Sequence, residues 1–241
     1  YAFDVNAGYS GEWWPYAYSP MLQSFGGDLI NRDNFTEAEG VLNGPEAVAF
    51  AEWFQNLFVN GYTPATPADD QGFNTGRVAL WYTGSWAANS VVEAWGDDAL
   101  FLPPPDFGNG PVIGAGSWQL GVSTACSDEA AVGAKEFVLF TMQPEQVAVM
   151  SNMSSLVPTT PEGAALTEAY AEDGAFRTFY DLMQAYALVR PETPGYLTIS
   201  SQFEQAGLTI RDGGNIQDAL DDAVDAIERD IEDNGGYGFS N

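Results

Sequence analysis

FNTGRVALWYTGSW, residues 73–86, is the most informative stretch of the chain. Between its two glycines, Gly76 and Gly84, lies a short apolar run that is rich in β-branched and aromatic residues. Such a run is too short for a buried helix and predicts a strand over residues 78–82, buried on both faces. Gly84 allows a tight turn at the end of this strand, so we expect Trp86 to lie at the strand's end beside bare backbone.

Two interpretations of Trp86 follow from this placement. Ligands of open α/β sheets bind at the ends of strands, and an indole ring there offers a flat face to the C–H side of a sugar ring. Alternatively, Trp86 is a large residue of the hydrophobic core. The stretch alone does not distinguish these two interpretations.

The composition of the chain excludes several classes of function. Its 241 residues, 45% of them apolar, suffice for one large or two smaller globular domains. The 34 Asp and Glu outnumber the 7 Lys and Arg, which gives a net charge of −27. Such a surface repels nucleic acid and anionic lipid, so we expect neither as a partner. Because these residues include no histidine, they exclude a His general base, a Ser-His-Asp triad and His-liganded zinc.

Apolar spacing along the chain predicts helices that are separated by short extended segments. Spacings of three and four residues, with Pro at helix starts or Gly after helix ends, predict helices over 45–60, 128–142 and 216–231. In the helix over 128–142, the residues expected to face the interior are Ala134, Phe137, Val138 and Met142. Further helices are expected over 20–25, about 87–96, 144–153, 164–172, 176–189 and 200–210, and further strands over 99–102 and 118–124.

Two proline-rich segments are candidate connections between domains. Three prolines at residues 103–105 are followed by a glycine-rich stretch, which predicts a hinge between two bodies. The segment VPTTPEG, residues 157–163, is a second connector and a candidate for the return crossing.

Tryptophan and tyrosine are concentrated near the beginning of the chain. Trp14 and Tyr16 lie in a run of aromatic residues before the glycine pair at residues 26–27. Part of this run belongs to a core, but loops also carry binding residues. A ligand contact for Trp14 or Tyr16 and a purely structural role therefore both stay open.

Seven stretches of the sequence resemble, in their order, the carbohydrate-binding group of extracellular solute-binding proteins of ABC importers. This group includes the maltodextrin- and trehalose/maltose-binding proteins. The stretches are SFGGDLI (24–30), LNGPEAVAF (42–50), FNTGRVALWYTGSW (73–86), LPPPDFGNGPVIGAGSWQLGVS (102–123), AKEFVLFTMQPEQ (134–146), LVPTTPE (156–162) and RPETPGY (190–196). Each alone is loosely defined, but together they cover nearly the whole chain.

The resemblance implies an α/β fold of the type II periplasmic binding proteins, with two lobes, a hinge and a helix-rich C-terminal part. In that scheme residues 1–103 and 154–241 belong to the second lobe, 104–111 form the hinge crossing and 112–153 return to the first lobe. Nothing here matches most of the family's first lobe, on the order of a hundred residues, so we expect it to lie outside this sequence. Without that lobe, the segment 112–153 is expected to expose apolar surface.

The same resemblance implies ligand contacts for particular residues. Matching the family's cleft positions are Trp86, Gly116, Ser117, Trp118 and Tyr196, and Trp14 and Tyr16 lie near a further aromatic position. Arg190 is expected either to donate a hydrogen bond to a sugar hydroxyl or to form a structural ion pair with a carboxylate.

We therefore expect the substrate-binding component of an ABC sugar importer, which captures a mono- or oligosaccharide between two lobes by aromatic stacking and hinge closure. The resemblance implies a monomer without enzymatic activity, catalytic residues, metal or cofactor, which docks on the transporter's membrane subunits. It also implies an extracytoplasmic location with a lipid anchor in the full-length protein.

Two other functions are consistent with parts of the sequence. A glycoside hydrolase or other carbohydrate-active surface protein needs two carboxyl groups about 5 to 9 Å apart. Only Glu12 and Asp106 stand out by their aromatic or glycine-rich surroundings, because most acidic residues fall on helix faces. A calcium-stabilised surface protein would use DGGNIQD, residues 212–218, but the EF-hand spacing is missing and a helix cap explains the stretch better.

Overall fold

The computed structural model describes residues 1–67, 69–116 and 118–238. The chain divides into two compact units, each of which is described by itself. Unit 1 consists of Tyr1–Thr83, Leu100–Ala115 and Tyr186–Asn241, and unit 2 consists of Gly84–Ala99 and Gly116–Ala185.

Helices are the main regular secondary structure of both units. In chain order the elements are β1 (Phe3–Asp4), α1 (Trp13–Phe25), α2 (Pro45–Val59), β2 (Leu80–Trp81), α3 (Ala88–Trp95), β3 (Ile113–Ala115), α4 (Asp128–Thr141), α5 (Pro144–Ser154), α6 (Pro161–Ala165), α7 (Arg177–Tyr186), β4 (Ala187–Val189), α8 (Tyr196–Arg211) and α9 (Ile216–Asp233). Short 3₁₀ turns span Ser85–Ala87, Gly96–Asp98 and Gly235–Gly238.

The helices that the sequence marks most strongly begin and end close to the predicted residues. Pro45 occupies the first turn of α2, and Asn215 caps α9 by accepting a hydrogen bond from the Asp218 N–H at 3.2 Å. The side chain of Ser127 accepts from the Ala130 N–H and caps α4, which begins at Asp128 as predicted. These local signals fix helix starts without help from distant contacts.

Helix α1 differs from its prediction. It begins at Trp13 and contains Pro20, which was expected to open a helix. Since proline lacks an N–H, it removes the hydrogen bond that the carbonyl of Tyr16 would accept. Burial of most of the α1 side chains outweighs that loss. The helix ends as predicted at Gly26, whose left-handed φ of 102° lets its N–H turn back to the Gln23 carbonyl.

The core of unit 1 lies among α1, α2, α8 and α9. Trp14, Tyr18 and Phe54 form its centre, with ring centroids 5.0 Å apart for both the Trp14–Tyr18 and the Tyr18–Phe54 pair. These three side chains are almost completely buried, and the apolar stripe of α9, including Leu220 and Val224, packs into the same cluster. Unit 1 therefore has a hydrophobic core of its own.

The strands of the structure are short and paired in parallel. Strand β1 pairs with β2, and β3 pairs with β4. The predicted strand over 78–82 is wrong in extent and burial, because β2 covers only Leu80–Trp81 and Leu80 is 53% exposed. A two-stranded ribbon offers no second layer on its outer face, so an apolar run within it is not buried on both sides.

Several weaker predictions are also wrong. Residues 99–102 and 118–124 form no strand, since neither segment pairs with another strand among the described residues. The helix expected over 176–189 ends at Tyr186, and its last three residues form β4 instead. The helix over 164–172 is replaced by the short α6, while α8 begins four residues before its predicted start.

Unit 2 buries few large side chains. Its buried residues include Val91 of α3, Val147 of α5, and Tyr170 and Tyr180 near α7. Helix α4 has no buried residue, so the inward face expected for Ala134, Phe137, Val138 and Met142 is wrong. The predicted exposure of apolar surface in 112–153 is confirmed by side chains such as Phe137, 59% exposed, and Met153, 83% exposed.

The two units differ from the predicted division of the chain. Residues 84–99 and 154–185 pack with 116–153 in unit 2, although both had been assigned to the second lobe. The chain changes unit after Thr83, Ala99, Ala115 and Ala185, and the last two changes lie beside the paired strands β3 and β4. The assignment of segments to lobes stays a prediction. Among the described residues, no helix is both long and apolar enough to cross a membrane.

Candidate functional site

A carboxylate at the start of α1 gathers side chains from two other parts of unit 1. The Arg190 Nε lies 2.7 Å from Glu12 Oε1. The hydroxyl of Tyr196 donates to the same oxygen at 2.7 Å, and the hydroxyl of Ser200 donates to Glu12 Oε2 at 2.8 Å. Both carboxylate oxygens are therefore engaged by charged or polar partners.

Local structure brings these partners to Glu12. Tyr196 and Ser200 lie four residues apart at the start of α8, which places their side chains on one face of the helix. Arg190 directly follows β4, and its Nη1 donates to the Ala115 carbonyl on the paired strand β3 at 3.3 Å. The parallel pairing of two strands thus sets the position of the guanidinium.

An aromatic ring completes this cluster. The guanidinium carbon of Arg190 lies 5.2 Å from the ring centroid of Tyr16, one helical turn after Glu12 on α1. Helix α1 comes so close to β3 here that a Cβ at Gly114 would lie 2.7 Å from the Tyr16 carbonyl oxygen. Tyr16 and Tyr196 are both half-buried, so part of each ring stays open to solvent. We call Glu12, Tyr16, Arg190, Tyr196 and Ser200 the Glu12 cluster.

The tyrosines of the Glu12 cluster keep their protons at neutral pH. Burial raises the pKa of the Tyr16 hydroxyl, and the Arg190 charge opposes that shift. Burial is also the largest cause that raises the pKa of Tyr196, followed by the hydrogen bond to Glu12 and its negative charge. Because both tyrosines are neutral, only Arg190 and Glu12 contribute charge, and the net charge of the Glu12 cluster is zero at neutral pH.

Trp14 does not belong to the Glu12 cluster. Its ring is 1% exposed, its Nε1 donates to the Tyr9 carbonyl at 2.9 Å, and a Cβ at Gly207 of α8 would lie 2.5 Å from its Cε3. This burial favours the structural role for Trp14, and a ligand contact of Trp14 stays a prediction. Its ring lies against α8 at Gly207, where the absence of a side chain leaves room for it.

The remaining predicted contacts lie in unit 2. Trp86 is 41% exposed in the 3₁₀ turn Ser85–Ala87, and a Cβ at Gly84 would clash with its ring. A side chain at residue 84 is thus obstructed by the indole ring, whereas the backbone of Gly84 is extended, with φ −104° and ψ 173°, and makes no turn that requires glycine. Trp118 is 92% exposed, Gly116 has a φ of 119°, and Ser117 lies outside the described residues.

The structure therefore brings together Tyr16, Tyr196 and Arg190 of the predicted site residues. Arg190 forms the ion pair that was one of its two expected roles, and its hydrogen bond to a sugar hydroxyl stays a prediction. Sequence reasoning did not assign Glu12 and Ser200 to the site. The spacing of Ser200, four residues after Tyr196, is the signal that could have indicated it.

The residues considered for other functions have structural roles. The Asp106 carboxylate accepts hydrogen bonds from the N–H groups of Gly108 and Gly110 at 2.8 and 2.9 Å and so stabilises its own loop. In the stretch considered for calcium, Asn215 caps α9, which confirms the helix-cap interpretation. Within the described ranges, no group of three or more His, Cys, Asp or Glu is placed to hold a metal ion.

Comparison with known proteins identifies the family. The sequence profile of bacterial extracellular solute-binding proteins matches residues 3–178. No protein of curated function matches the chain by sequence.

Solved structures of several binding proteins share the fold. The cyclic alpha-maltosyl-1,6-maltose binding protein from Arthrobacter globiformis is 26% identical, with a TM-score of 0.67 over 96% of this chain and 60% of that one. The maltose-binding periplasmic protein from Listeria monocytogenes, in complex with maltose, is 20% identical, with a TM-score of 0.66 over 95% and 61%. The GacH receptor of Streptomyces glaucescens, which was solved with acarbose, is 19% identical, with a TM-score of 0.71 over 96% and 59%.

These likenesses confirm the predicted α/β fold of the type II periplasmic binding proteins. The chain spans about 60% of the length of the structures that it matches. The family and these neighbours are named as binding proteins and not as enzymes.

Proposed function

We propose, since the chain belongs to the family of bacterial extracellular solute-binding proteins, that it captures a mono- or oligosaccharide for an ABC importer. The observation that carries the proposal is the Glu12 cluster, where two half-buried tyrosine rings lie beside one carboxylate and one guanidinium. Solved relatives whose ligands are maltose, acarbose, mannobiose and tagatose support a carbohydrate as the ligand class.

The chemistry of the Glu12 cluster suits a sugar. Sugar rings present apolar C–H faces together with hydroxyl groups, so a site needs aromatic faces as well as hydrogen-bond donors and acceptors. Tyr16 and Tyr196 supply aromatic faces and hydroxyl oxygens that can accept hydrogen bonds, and Arg190 supplies donors in a planar fork. Since Arg190 and Glu12 cancel in charge, the cluster favours a neutral ligand over an anion.

We also propose ligand contacts for residues of unit 2. The exposed indoles of Trp86 and Trp118 are suited to stacking on sugar rings. Gly116 has no side chain, so a ligand could approach its backbone, and Ser117, the next residue in the chain, is proposed as a further contact. Closure about a hinge is part of this proposal. Ligand would stabilise the closed form by its higher affinity for that form.

The proposed partners follow from the family. The ligand-bound protein would dock on the membrane subunits of an ABC transporter, and it would act as a monomer in an extracytoplasmic location with a lipid anchor. Its strongly negative surface agrees with the absence of nucleic acid from its partners.

Isothermal titration calorimetry of the purified protein tests this function. We would titrate it in molar salt, which screens the net charge of −27, with maltose, maltotetraose, mannobiose, tagatose and glycerophosphocholine. We expect saturable binding of one or more sugars, weakened by Trp86→Ala but not by Trp95→Ala, a second partly exposed tryptophan of unit 2. Binding of glycerophosphocholine alone, or of none of the five, would contradict the proposed function.

A further inference from the structure

The carboxylate of Glu12 holds side chains from two other parts of the chain. It stands immediately before α1, while its partners come from the residue after β4 and from the first turns of α8. The Glu12 carboxylate contacts Arg190, Tyr196 and Ser200 at once. Removing this carboxylate therefore removes the shared partner of all three.

The backbone next to Glu12 is held independently of this carboxylate. The N–H of Gly11 donates to Oε1 of Glu204, one helical turn beyond Ser200 on α8. Two glutamates thus connect the same short loop to α8, but only Glu12 reaches the aromatic and basic side chains. Glu204 consequently provides a control of equal charge in the same neighbourhood.

We propose that Glu12 is a positioning residue of the carbohydrate site, whose carboxylate fixes the Tyr196 ring and the Arg190 guanidinium before ligand arrives. This inference rests on the proposed function. A tyrosine hydroxyl that already donates to Glu12 keeps its ring in one orientation, and an arginine held at Nε keeps its planar fork in one plane. Ligand binding then loses less side-chain freedom, which favours higher affinity.

The exposure of the ion pair separates a positioning role from a stabilising one. The Glu12 side chain is 48% exposed, and ion pairs in contact with solvent contribute little to folding stability. A change at Glu12 should therefore lower ligand affinity while the thermal midpoint of unfolding stays nearly unchanged.

The test compares Glu12→Gln with Glu204→Gln in the complete chain. Both variants remove one negative charge and keep the size of the side chain. Affinity for the sugar that wild-type protein binds is measured by calorimetry, and we expect Glu12→Gln to weaken it about tenfold while Glu204→Gln stays within about twofold.

A second measurement needs no ligand. Tyrosine labelled with carbon-13 at Cζ reports on hydrogen bonds of the phenol group, and the Tyr196 resonance is assigned by its loss in Tyr196→Phe. We expect Glu12→Gln to shift this resonance and Glu204→Gln to leave it in place, because only Glu12 accepts from the Tyr196 hydroxyl.

Two outcomes would overturn the inference: an unshifted Tyr196 resonance in Glu12→Gln, or equal sugar affinities of the two glutamine variants. Wild-type protein that binds no sugar would contradict the proposed function instead. In that case the Tyr196 resonance alone still establishes or refutes that Glu12 holds this ring.

Discussion

Both units contain helices with apolar side chains, but these side chains are buried in unit 1 and largely exposed in unit 2. In unit 1, Phe54 of α2 is 2% exposed and Leu220 of α9 is 3% exposed, so their helices enclose a core. In unit 2, Phe137 of α4 and Met150 of α5 are 59% and 63% exposed. The difference shows that an apolar helix face is buried only where another element covers it, whatever its periodicity.

The largest expected difference concerns phenylalanine truncation. Phe54→Ala in unit 1 should lower the free energy of unfolding by about 3 to 5 kcal/mol, because it leaves a cavity among Trp14, Tyr18 and Phe58. Phe137→Ala in unit 2 should change it by less than about 0.5 kcal/mol. Urea unfolding followed by circular dichroism measures both, and equal losses would refute the contrast between the units.

Glycine-to-alanine substitutions should change the free energy of unfolding in opposite directions in the two units. In Gly207→Ala the added methyl group would meet the ring of Trp14, so we expect a loss of about 1 to 3 kcal/mol from overpacking. Gly133, inside α4, has no neighbour within 4 Å of an added Cβ. Gly133→Ala should therefore stabilise the protein by up to about 1 kcal/mol. The same urea experiment checks both variants, and stabilisation by Gly207→Ala would show that Trp14 is loosely packed.

Substitution of Tyr170 measures how much its buried hydrogen bond stabilises the small core of unit 2. Its hydroxyl donates to the Ser155 carbonyl at 2.6 Å, and Tyr170→Phe should cost about 1 kcal/mol at neutral pH. Burial raises the pKa of Tyr170 to about 12, although the side chain of Ser85 opposes the shift. Since this pKa is raised above 10.0, the stabilising contribution is complete below pH 10 and is lost as pH rises through about 12.

The pH dependence of Tyr170 is checked by unfolding at several alkaline pH values. Tyr170→Phe should lose less stability than wild type between pH 10 and 12. Identical slopes for the two proteins would contradict the assigned shift.

The smallest expected effect on stability comes from the exposed face of unit 2. Phe137→Ser should leave the unfolding free energy within about 0.5 kcal/mol of wild type, yet reduce the fluorescence of a bound hydrophobic dye such as anilinonaphthalene sulfonate. Val59→Ser, at an exposed site of unit 1, serves as the control. Unchanged dye binding in Phe137→Ser would show that this face is covered in solution.

The contrast between covered and uncovered helix faces also explains which features could be predicted from the sequence. Helix starts at Pro45, Asp128 and Pro144 depend on local backbone chemistry and were predicted correctly. The burial of α4 and of Leu80 depends on which distant element covers them, and that information is absent from local spacing. Periodicity therefore predicted the helices better than it predicted their surroundings.

In the candidate site, too, local sequence did not show which distant residues come together. Tyr16, Arg190 and Tyr196 were predicted from motifs, and the structure brings them together. Glu12 was considered only as a possible acid catalyst, because its partners lie 178 to 188 residues further along the chain. Trp14 was assigned a possible ligand contact because an aromatic run does not show which of its rings turns inward.

Tryptophan fluorescence titration tests most directly whether the Glu12 cluster binds a sugar. Wild type, Tyr16→Ala and Tyr62→Ala would be titrated in molar salt with the sugar panel, where Tyr62 is an exposed tyrosine of unit 1 outside the cluster. We predict a saturable change in wild type and Tyr62→Ala, with affinity about tenfold lower in Tyr16→Ala. No change with any sugar, or equal affinity in all three proteins, would contradict the account.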